Sequence, residues 1–276
     1  MTLLCRDIRK FQKKIFFWWA LNKRDLPWRH THDPYRIMVS EVMLQQTQVE
    51  RVAAKYSEFI KTYPTVTSLA EAPTGDVLRL WKGMGYNRRA LYLHQAAKII
   101  LEKFDTHVPM SEQLLSSLPG IGKYTARAIM VFAFKKDIAM VDTNIRKIMT
   151  HFFFSDIKQP EKTIQDVADR LVPKGKPWEW HQALMDFGSA HSHLFFSQSS
   201  HSSHSSRSVP FRESTRFYRG RIMDLVRERA WKQNNLFEEL IKKYGKDITF
   251  YEMITEKLLQ ECLLARSSRA VISLPE

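Results

Sequence analysis

Two carboxylates in this chain stand in unlike surroundings, and that difference is a chemical resource. Glu41 lies in Val39-Ser40-Glu41-Val42-Met43-Leu44, a mostly apolar stretch whose neighbours recur at helical spacing. Burial there would raise its pKa and keep a proton available at neutral pH, as a general acid requires. Asp142 follows an apolar run and precedes the polar pair Thr143 and Asn144. If those groups donate to it, it stays ionised and can stabilise a developing cation. An acid and an anion held apart in pKa form the pattern that cleaves glycosidic bonds. Each residue also has a plainer reading. Glu41 could be a solvated charge on a helix face. Asp142 could be the N-cap of the helix that follows, a role compatible with the chemical one.

A second constellation could hold an anion. In Leu118-Pro119-Gly120-Ile121-Gly122 a short helix ends, the chain turns tightly, and a second helix begins near Lys123. Two glycines permit unusual backbone angles and close approach of another backbone. The N–H groups and dipole of the second helix suit a phosphate oxygen, and Lys123 adds charge. Such a contact grips nucleic acid without reading its sequence. A bare glycine pair would fit an ordinary helix corner equally well. The complete LPGIG sequence in a basic chain favours the phosphate reading.

The elements that must position these groups read as helices. Met38, Val42, Val49 and Val52 fit one stripe, and Leu78, Leu80 and Trp81 begin another. Strand-like alternation is scarce. Connections fall at Asp33-Pro34, Tyr63-Pro64, Ala72-Pro73, Pro119-Gly120 and Pro173-Lys174-Gly175. The expected fold is all-α, with about ten or more helices at ordinary helix length. From His191 to Ser208 the chain turns into a Ser/His-rich tract without periodicity, read as a loop. Residues 213–229, 236–244 and 249–264 return to helical pattern. The net charge of +14 over 276 residues favours a polyanionic partner. The longest apolar runs, such as Phe16 to Ala20, are far shorter than the ~20 residues of a membrane span. No secretory signal is read at the N-terminus. The two cysteines, Cys5 and Cys262, are far apart, which argues against a disulfide framework and for the cytoplasm, with nucleoid association in a bacterium or archaeon.

Leu26-Pro27-Trp28-Arg29, Ser40 to Val49 (SEVMLQQTQV), Trp81 to Ala90 (WKGMGYNRRA), the LPGIG hairpin and Val141-Asp142-Thr143-Asn144 occur in that order. Together they resemble the A/G-mismatch adenine DNA glycosylases, the MutY family of the helix-hairpin-helix DNA glycosylase superfamily. The resemblance covers about residues 8–190. SEVMLQQT is specific to the adenine branch, whereas LPGxG and the later Asp are shared across the superfamily, endonuclease III included. The resemblance implies a two-lobed helix-hairpin-helix fold with a DNA cleft. A six-helix-barrel lobe would span residues 24–137, residues 1–23 with 138–210 would form a second helical lobe, and 211–276 a helical C-terminal extension. It also implies base excision repair: a monomer acting on mismatched double-stranded DNA, hydrolysing the N-glycosidic bond of adenine opposite guanine or 8-oxoguanine. Glu41 would protonate the departing base, and Asp142, with Asn144 beside it, would stabilise the cationic sugar. In relatives that also cut the backbone, a lysine stands where this chain has Tyr124 and forms a Schiff base. Lys123 lies one residue early, about 100° away around a helix. The expectation is therefore base removal by water without strand cleavage. The plainer reading of Tyr124 is packing. Reaching the base requires flipping it from the stack. Gln46 and Tyr86 are the candidates to probe or wedge the duplex. Arg29, Gln45, Arg88, Arg89, Leu118, Gly120, Gly122 and Lys123 are the other expected DNA-binding positions. The family often has a second aromatic after the Tyr86 position, where this chain has Asn87.

Two departures stand out. Most relatives hold a [4Fe–4S] cluster through four cysteines after a segment like Met185 to Ala190 (MDFGSA). Here Ser192, Ser199, Ser202 and Ser208 stand at the cysteine spacing, and hydroxyls are poor ligands for such clusters. The expectation is no cluster and no other cofactor. Zinc at His191, His193, His201 and His204 is the less favoured alternative. Leu194 to Phe196 are expected to dock the tract, and Ser197 to Ser208 to be mobile. The family's 8-oxoguanine-recognition domain is not expected in residues 209–276 either, since those 68 residues are too few and too helical for it. Two other readings compete: a thymine or uracil mismatch glycosylase, against which Gln45-Gln46-Thr47 argues, and a non-catalytic DNA-binding homologue, against which intact Glu41, Tyr124 and Asp142 argue.

Overall fold

The computed structural model describes residues 5–195 and 210–276. Fourteen α-helices and three short strands occur among them. In chain order the first helices are α1 (Cys5–Asn22), α2 (Pro34–Leu44), α3 (Val49–Thr62), α4 (Val66–Ala70), α5 (Thr74–Leu80), α6 (Arg88–Lys103) and α7 (Glu112–Ser116). Then come α8 (Lys123–Phe132), α9 (Thr143–Phe154), α10 (Glu161–Leu171), α11 (Pro177–Ala190), α12 (Thr215–Glu228), α13 (Gln233–Tyr244) and α14 (Ile248–Gln260). Strands β1 (Trp231–Lys232), β2 (Ala265–Arg266) and β3 (Val271–Ser273) form one antiparallel sheet in the order β1-β3-β2. The fold is all-α, as the helical periodicity implies. Among the described residues no helix is long and apolar enough to cross a membrane.

Backbone contacts divide the chain into two units: residues 1–42 with 108–204, and 43–107 with 205–276. This grouping differs from the lobes expected from the sequence. The hairpin belongs with α9 to α11, not with residues 43–107. The C-terminal residues are no appendage, because α12 packs on α5 and the Arg227 Nε donates to the carbonyl of Leu78 at 3.0 Å.

The first unit is built around α11, which packs against α1, α9 and α8. Its core gathers Phe11 and Ile15 from α1, Ile145, Ile148 and Met149 from α9, and Trp180, Ala183 and Leu184 from α11. Gly188 in α11 permits a close approach: a Cβ there would lie 3.0 Å from the Cβ of Asn144 and 3.1 Å from Cδ1 of Ile148. The MDFGSA segment thus has a packing reason for its glycine. The second unit centres on α6, which buries Leu93, Ala96, Ala97 and Ile100 against α4 and α5. Residues 192–195 pack against α9, and Leu194, though half exposed, lines a pocket with Trp18, Phe152 and Phe187. Phe196 and Ser197 to Ser208 lie outside the described residues.

Candidate active site

Glu41, Tyr124 and Asp142 all belong to the first unit. Helix α2 starts where Asp33 Oδ1 accepts from the backbone N–H groups of Tyr35 (2.8 Å) and Arg36 (3.2 Å). The next turns bury Ile37, Met38, Val39, Val42 and Met43, and Ser40 and Glu41 are buried among them. A helix apolar nearly all round leaves the Glu41 carboxyl no wet side to face. Burial, with the charge of Asp142 adding to it, pushes Glu41 up to about 8. Glu41 is therefore protonated at neutral pH, as expected of an acid.

Tyr124 stands in the first turn of α8. Burial and then the charges of Glu41 and Asp142 push its hydroxyl well above the ordinary phenol value. The phenol stays neutral, and its sensitivity to both carboxylates places the three groups in one electrostatic neighbourhood.

Asp142 is the N-cap of α9, its Oδ1 accepting from the Ile145 N–H at 2.6 Å. The cap reading is thus right. Donors to the carboxylate are present as expected, Asn144 among them, yet they do not hold its pKa down. Burial raises the Asp142 pKa above its ordinary value, opposed by the backbone N–H groups of Ile145 and Asn144. Helix α9 supplies the donors, but tertiary packing supplies the desolvation, which local sequence does not reveal. Asp142 raises Glu41, so Asp142 ionises first and its charge holds the proton on Glu41.

The segment leading into Asp142 is clamped by residues that sequence reasoning missed. The Ala139 N–H donates to Asp169 (2.9 Å), and the Ala139 carbonyl accepts from Arg127 (2.6 Å) and Gln165 (3.0 Å). The Met140 N–H donates to Nε2 of fully buried His181 at 3.2 Å. Nδ1 of that ring lies 2.7 Å from the Pro177 carbonyl and must be the protonated nitrogen, since a carbonyl only accepts. Burial pushes His181 down to about 4, so the ring is neutral and its tautomer fixed. Nothing in the local sequence around His181 signals this, because its partner lies 41 residues away.

Three expected DNA-contacting residues are spent inside the fold. Arg29 forks onto Asp186 with two bonds of 2.8 Å, and its side chain is 5% exposed. Asp186 also takes Arg24 at 2.6 Å, and these partners pull its carboxyl below the usual range against the effect of burial. Arg89 is buried in the second unit, where it donates to the carbonyls of Met43 (2.8 Å) and Met84 (3.1 Å) and to the Thr47 hydroxyl (2.8 Å). A guanidinium so committed has few donors left for a phosphate. Leu118 is 3% exposed and packs as core. In the hairpin, Gly120 takes φ 75°, which a side chain would disfavour, while Gly122 and Lys123 are exposed at the start of α8. Asn144 is half-buried on α9 beside Gly188. In the second unit Gln45, Gln46, Tyr86 and Arg88 line a single groove. Gln46 (φ 53°) and Tyr86 (φ 44°) are both exposed and held in the left-handed region, a strain that the sequence did not announce.

The residues do not fit an iron–sulfur cluster. The chain holds two cysteines where four thiolates are needed, and they belong to different units. Beside Ser192, the first of the cysteine positions, the His191 ring stacks on Phe187 at 4.1 Å, its Nδ1 2.9 Å from the Phe187 carbonyl. Of the four histidines considered for zinc, His201 and His204 lie outside the described residues.

Residues 39–174 match the model of the HhH-GPD superfamily base excision DNA repair proteins. The chain is 39% identical over 178 residues to an adenine DNA glycosylase of Mycolicibacterium smegmatis, covering 63% of this chain and 61% of that one. It is 36% identical to an adenine DNA glycosylase of Buchnera aphidicola, covering 64% and 52%. It is 33% identical to a thymine/uracil-DNA glycosylase of Methanothermobacter thermautotrophicus, covering 64% of this chain and 82% of that one. The chain thus spans between about half and three fifths of the two adenine relatives' length. Among solved structures, a thermostable thymine-DNA glycosylase superposes with a TM-score of 0.63 at 32% identity, covering 67% of this chain and 87% of that one. A trapped endonuclease III–DNA covalent intermediate matches at 0.61 and 19% identity, covering 69% and 89%, a likeness of fold alone.

Proposed function

The chain belongs to the HhH-GPD superfamily of base excision DNA repair proteins, and from that premise we propose that it is a monofunctional DNA glycosylase that removes adenine from mismatched duplex DNA. The observation that carries this reading is Glu41 buried in an apolar helix, with Asp142 and Tyr124 in the same electrostatic neighbourhood. Glu41 gives its proton to a ring nitrogen of the departing base as the C1′–N bond breaks and its electron pair leaves with the base. The sugar becomes an oxocarbenium ion, and the Asp142 carboxylate stabilises that charge. Water adds to C1′ and gives up a proton, which returns Glu41 to its starting state. Tyr124 has no amine, so no Schiff base forms and the abasic strand stays whole. The protein acts as a monomer on double-stranded DNA, without an iron–sulfur cluster.

The test is a set of duplexes carrying A:G, A:8-oxoguanine, T:G and U:G, each incubated with the protein, treated with alkali and examined for breaks. Cleavage of the adenine strands alone, and only after alkali, is the expected result. One observation favours a second reading: the thymine/uracil relative is matched over most of its own length. Breaks at T:G and U:G, with none at A:G, would establish that reading instead. Borohydride should trap no adduct with the wild type, while Tyr124→Lys should introduce some trapping and strand cleavage. Efficient trapping by the wild type would overturn the monofunctional assignment.

The hairpin holds backbone and not bases. A Cβ at Gly122 would meet nothing within 4 Å, so Gly122→Val tests the approach of DNA, with circular dichroism checking that α8, which Gly122 caps, still forms. Hydrogen bonds to charged groups contribute about 1.5–3 kcal/mol, so losing one should weaken binding more than tenfold. The loss should be equal for matched and mismatched duplexes in a fluorescence-anisotropy titration. Loss of mismatch preference alone would contradict this role.

A further inference from the structure

Residues 210–276 carry an architecture that the match to residues 39–174 does not reach. Their elements run α12, β1, α13, α14, β2, β3, and the sheet order is β1-β3-β2. Trp231 pairs with Ile272, and Arg266 also pairs with Ile272 from the other side. Helices α13 and α14 are joined by Gly245-Lys246-Asp247, a three-residue turn containing glycine. Such a turn is typical of helix-turn-helix units. Tyr251 locks it by donating to the Gly245 carbonyl at 2.7 Å, and Asp247 caps α14 through the Phe250 N–H at 2.8 Å. The residues between β2 and β3 form a hairpin wing bearing Arg269. This is the order and pairing of a winged helix.

In helix-turn-helix units the second helix ordinarily enters the major groove. Here α14 exposes Glu252 and Lys257, and its Glu256 is paired with Arg266, so the helix presents no net positive charge to a phosphate backbone. The positive charge lies elsewhere. Within the second unit, α12 faces residues 82–89, the α5–α6 connection and the start of α6, across a groove of about 1030 Å³. Eight arginines and lysines line it against one carboxylate, Asp224. Several are committed: Arg219 to Glu261 (2.5 Å), Arg221 to Asp224 (2.8 Å), and Arg227 to Asn87 (2.8 Å). Arg51 and Arg216 are exposed and form no ion pair among the described residues. The Arg216 guanidinium lies 4.3 Å from the centre of the Tyr86 ring, so an exposed aromatic and a cation present themselves together. A groove of net positive charge, open to solvent, suits a sugar–phosphate backbone.

We propose that the winged-helix module holds DNA through α12, so that the groove between α12 and residues 82–89 takes the phosphate backbone of duplex DNA as a grip additional to the hairpin. This rests on the reading of the chain as a DNA-acting enzyme. It assigns to residues 210–276 a function of their own.

The test is the salt dependence of binding to an undamaged duplex, which requires no excision. Each phosphate neutralised contributes about 0.9 to the slope of log affinity against log salt. Arg51→Ser/Arg216→Ser should therefore lower the slope by about 1.8. Between 50 and 200 mM salt the wild type should lose roughly tenfold more affinity than the double variant. Arg51→Lys/Arg216→Lys should keep the wild-type slope, because charge and not shape is required. An unchanged slope in the serine variant, with circular dichroism confirming its fold, would overturn the proposal. So would an equal loss of slope in the lysine variant. The two readings fail separately. A lowered slope in a protein that excises nothing would leave the groove standing and remove the glycosylase. Excision with an unchanged slope would do the reverse.

Discussion

Glu41→Gln should lose base excision and gain stability at the same time. Removing one general acid typically costs about 10²–10⁴-fold, and the amide keeps the shape without the acidic proton. The stability gain follows from the same burial. Folding raises the Glu41 pKa from 4.5 to about 8. A group raised on folding favours the folded state below its unfolded pKa, and that advantage is lost as pH rises toward the folded value. At pH 7 the unfolded carboxyl is ionised while the folded one still holds its proton, a cost of about 3 kcal/mol. Gln carries no such cost. Urea denaturation of both proteins from pH 4.5 to 8.5 should give a gap that widens with pH up to about 8 and then levels. Excision by the wild type should fall above the same pH. Equal stability at every pH would show that Glu41 is solvated, and a normal excision rate in the variant would remove it as the acid.

Asp142→Asn should separate a structural role from a chemical one. The amide oxygen can still accept from the Ile145 N–H, and Asn caps helices as well as Asp does, so α9 should form normally. What disappears is the negative charge facing the oxocarbenium ion. Loss of one preorganised electrostatic partner costs on the order of 10²–10³-fold in rate, with duplex binding retained. Asp142→Ala removes the cap as well and should destabilise the fold by a further ~1 kcal/mol. The Asn variant carries a second signature. Without the Asp142 charge, Glu41 loses one of the two causes that raise it, so any residual activity should decline from a lower pH than in the wild type. Single-turnover rates against pH test both statements. Wild-type excision by Asp142→Asn would reduce Asp142 to a cap.

What the sequence disclosed and what it hid follow the range of each interaction. Glu41 was legible because an apolar helix declares its own burial, and the Asp142 cap because VDTN is a local signal. Arg29 and Arg89 were misjudged because the use of a guanidinium depends on what meets it. Arg29 meets Asp186, 157 residues away, and Arg89 meets the carbonyl of Met43, 46 residues away. The clamp on Ala139 and Met140 was hidden for the same reason. The Asp142 pKa needed the packing of α9 against α11 before its direction could be fixed. The strands of the C-terminal module escaped because two or three residues are too few for a visible alternation.

The bond from Arg227 to the Leu78 carbonyl, across 149 residues, bears on how the chain is made. Each unit is assembled from two stretches separated by the other unit's residues, so neither can close as soon as its first part leaves the ribosome. Helix α5 must wait, one face uncovered, until α12 has been synthesised. Closing such long loops costs entropy before the distant contacts repay it, which slows folding and lengthens the time in which a nascent chain can aggregate. Synthesis halted after the Ser/His tract would yield a first unit with all its segments and a second one missing a wall. Partial products of this protein are therefore expected to need chaperones more than the finished chain does.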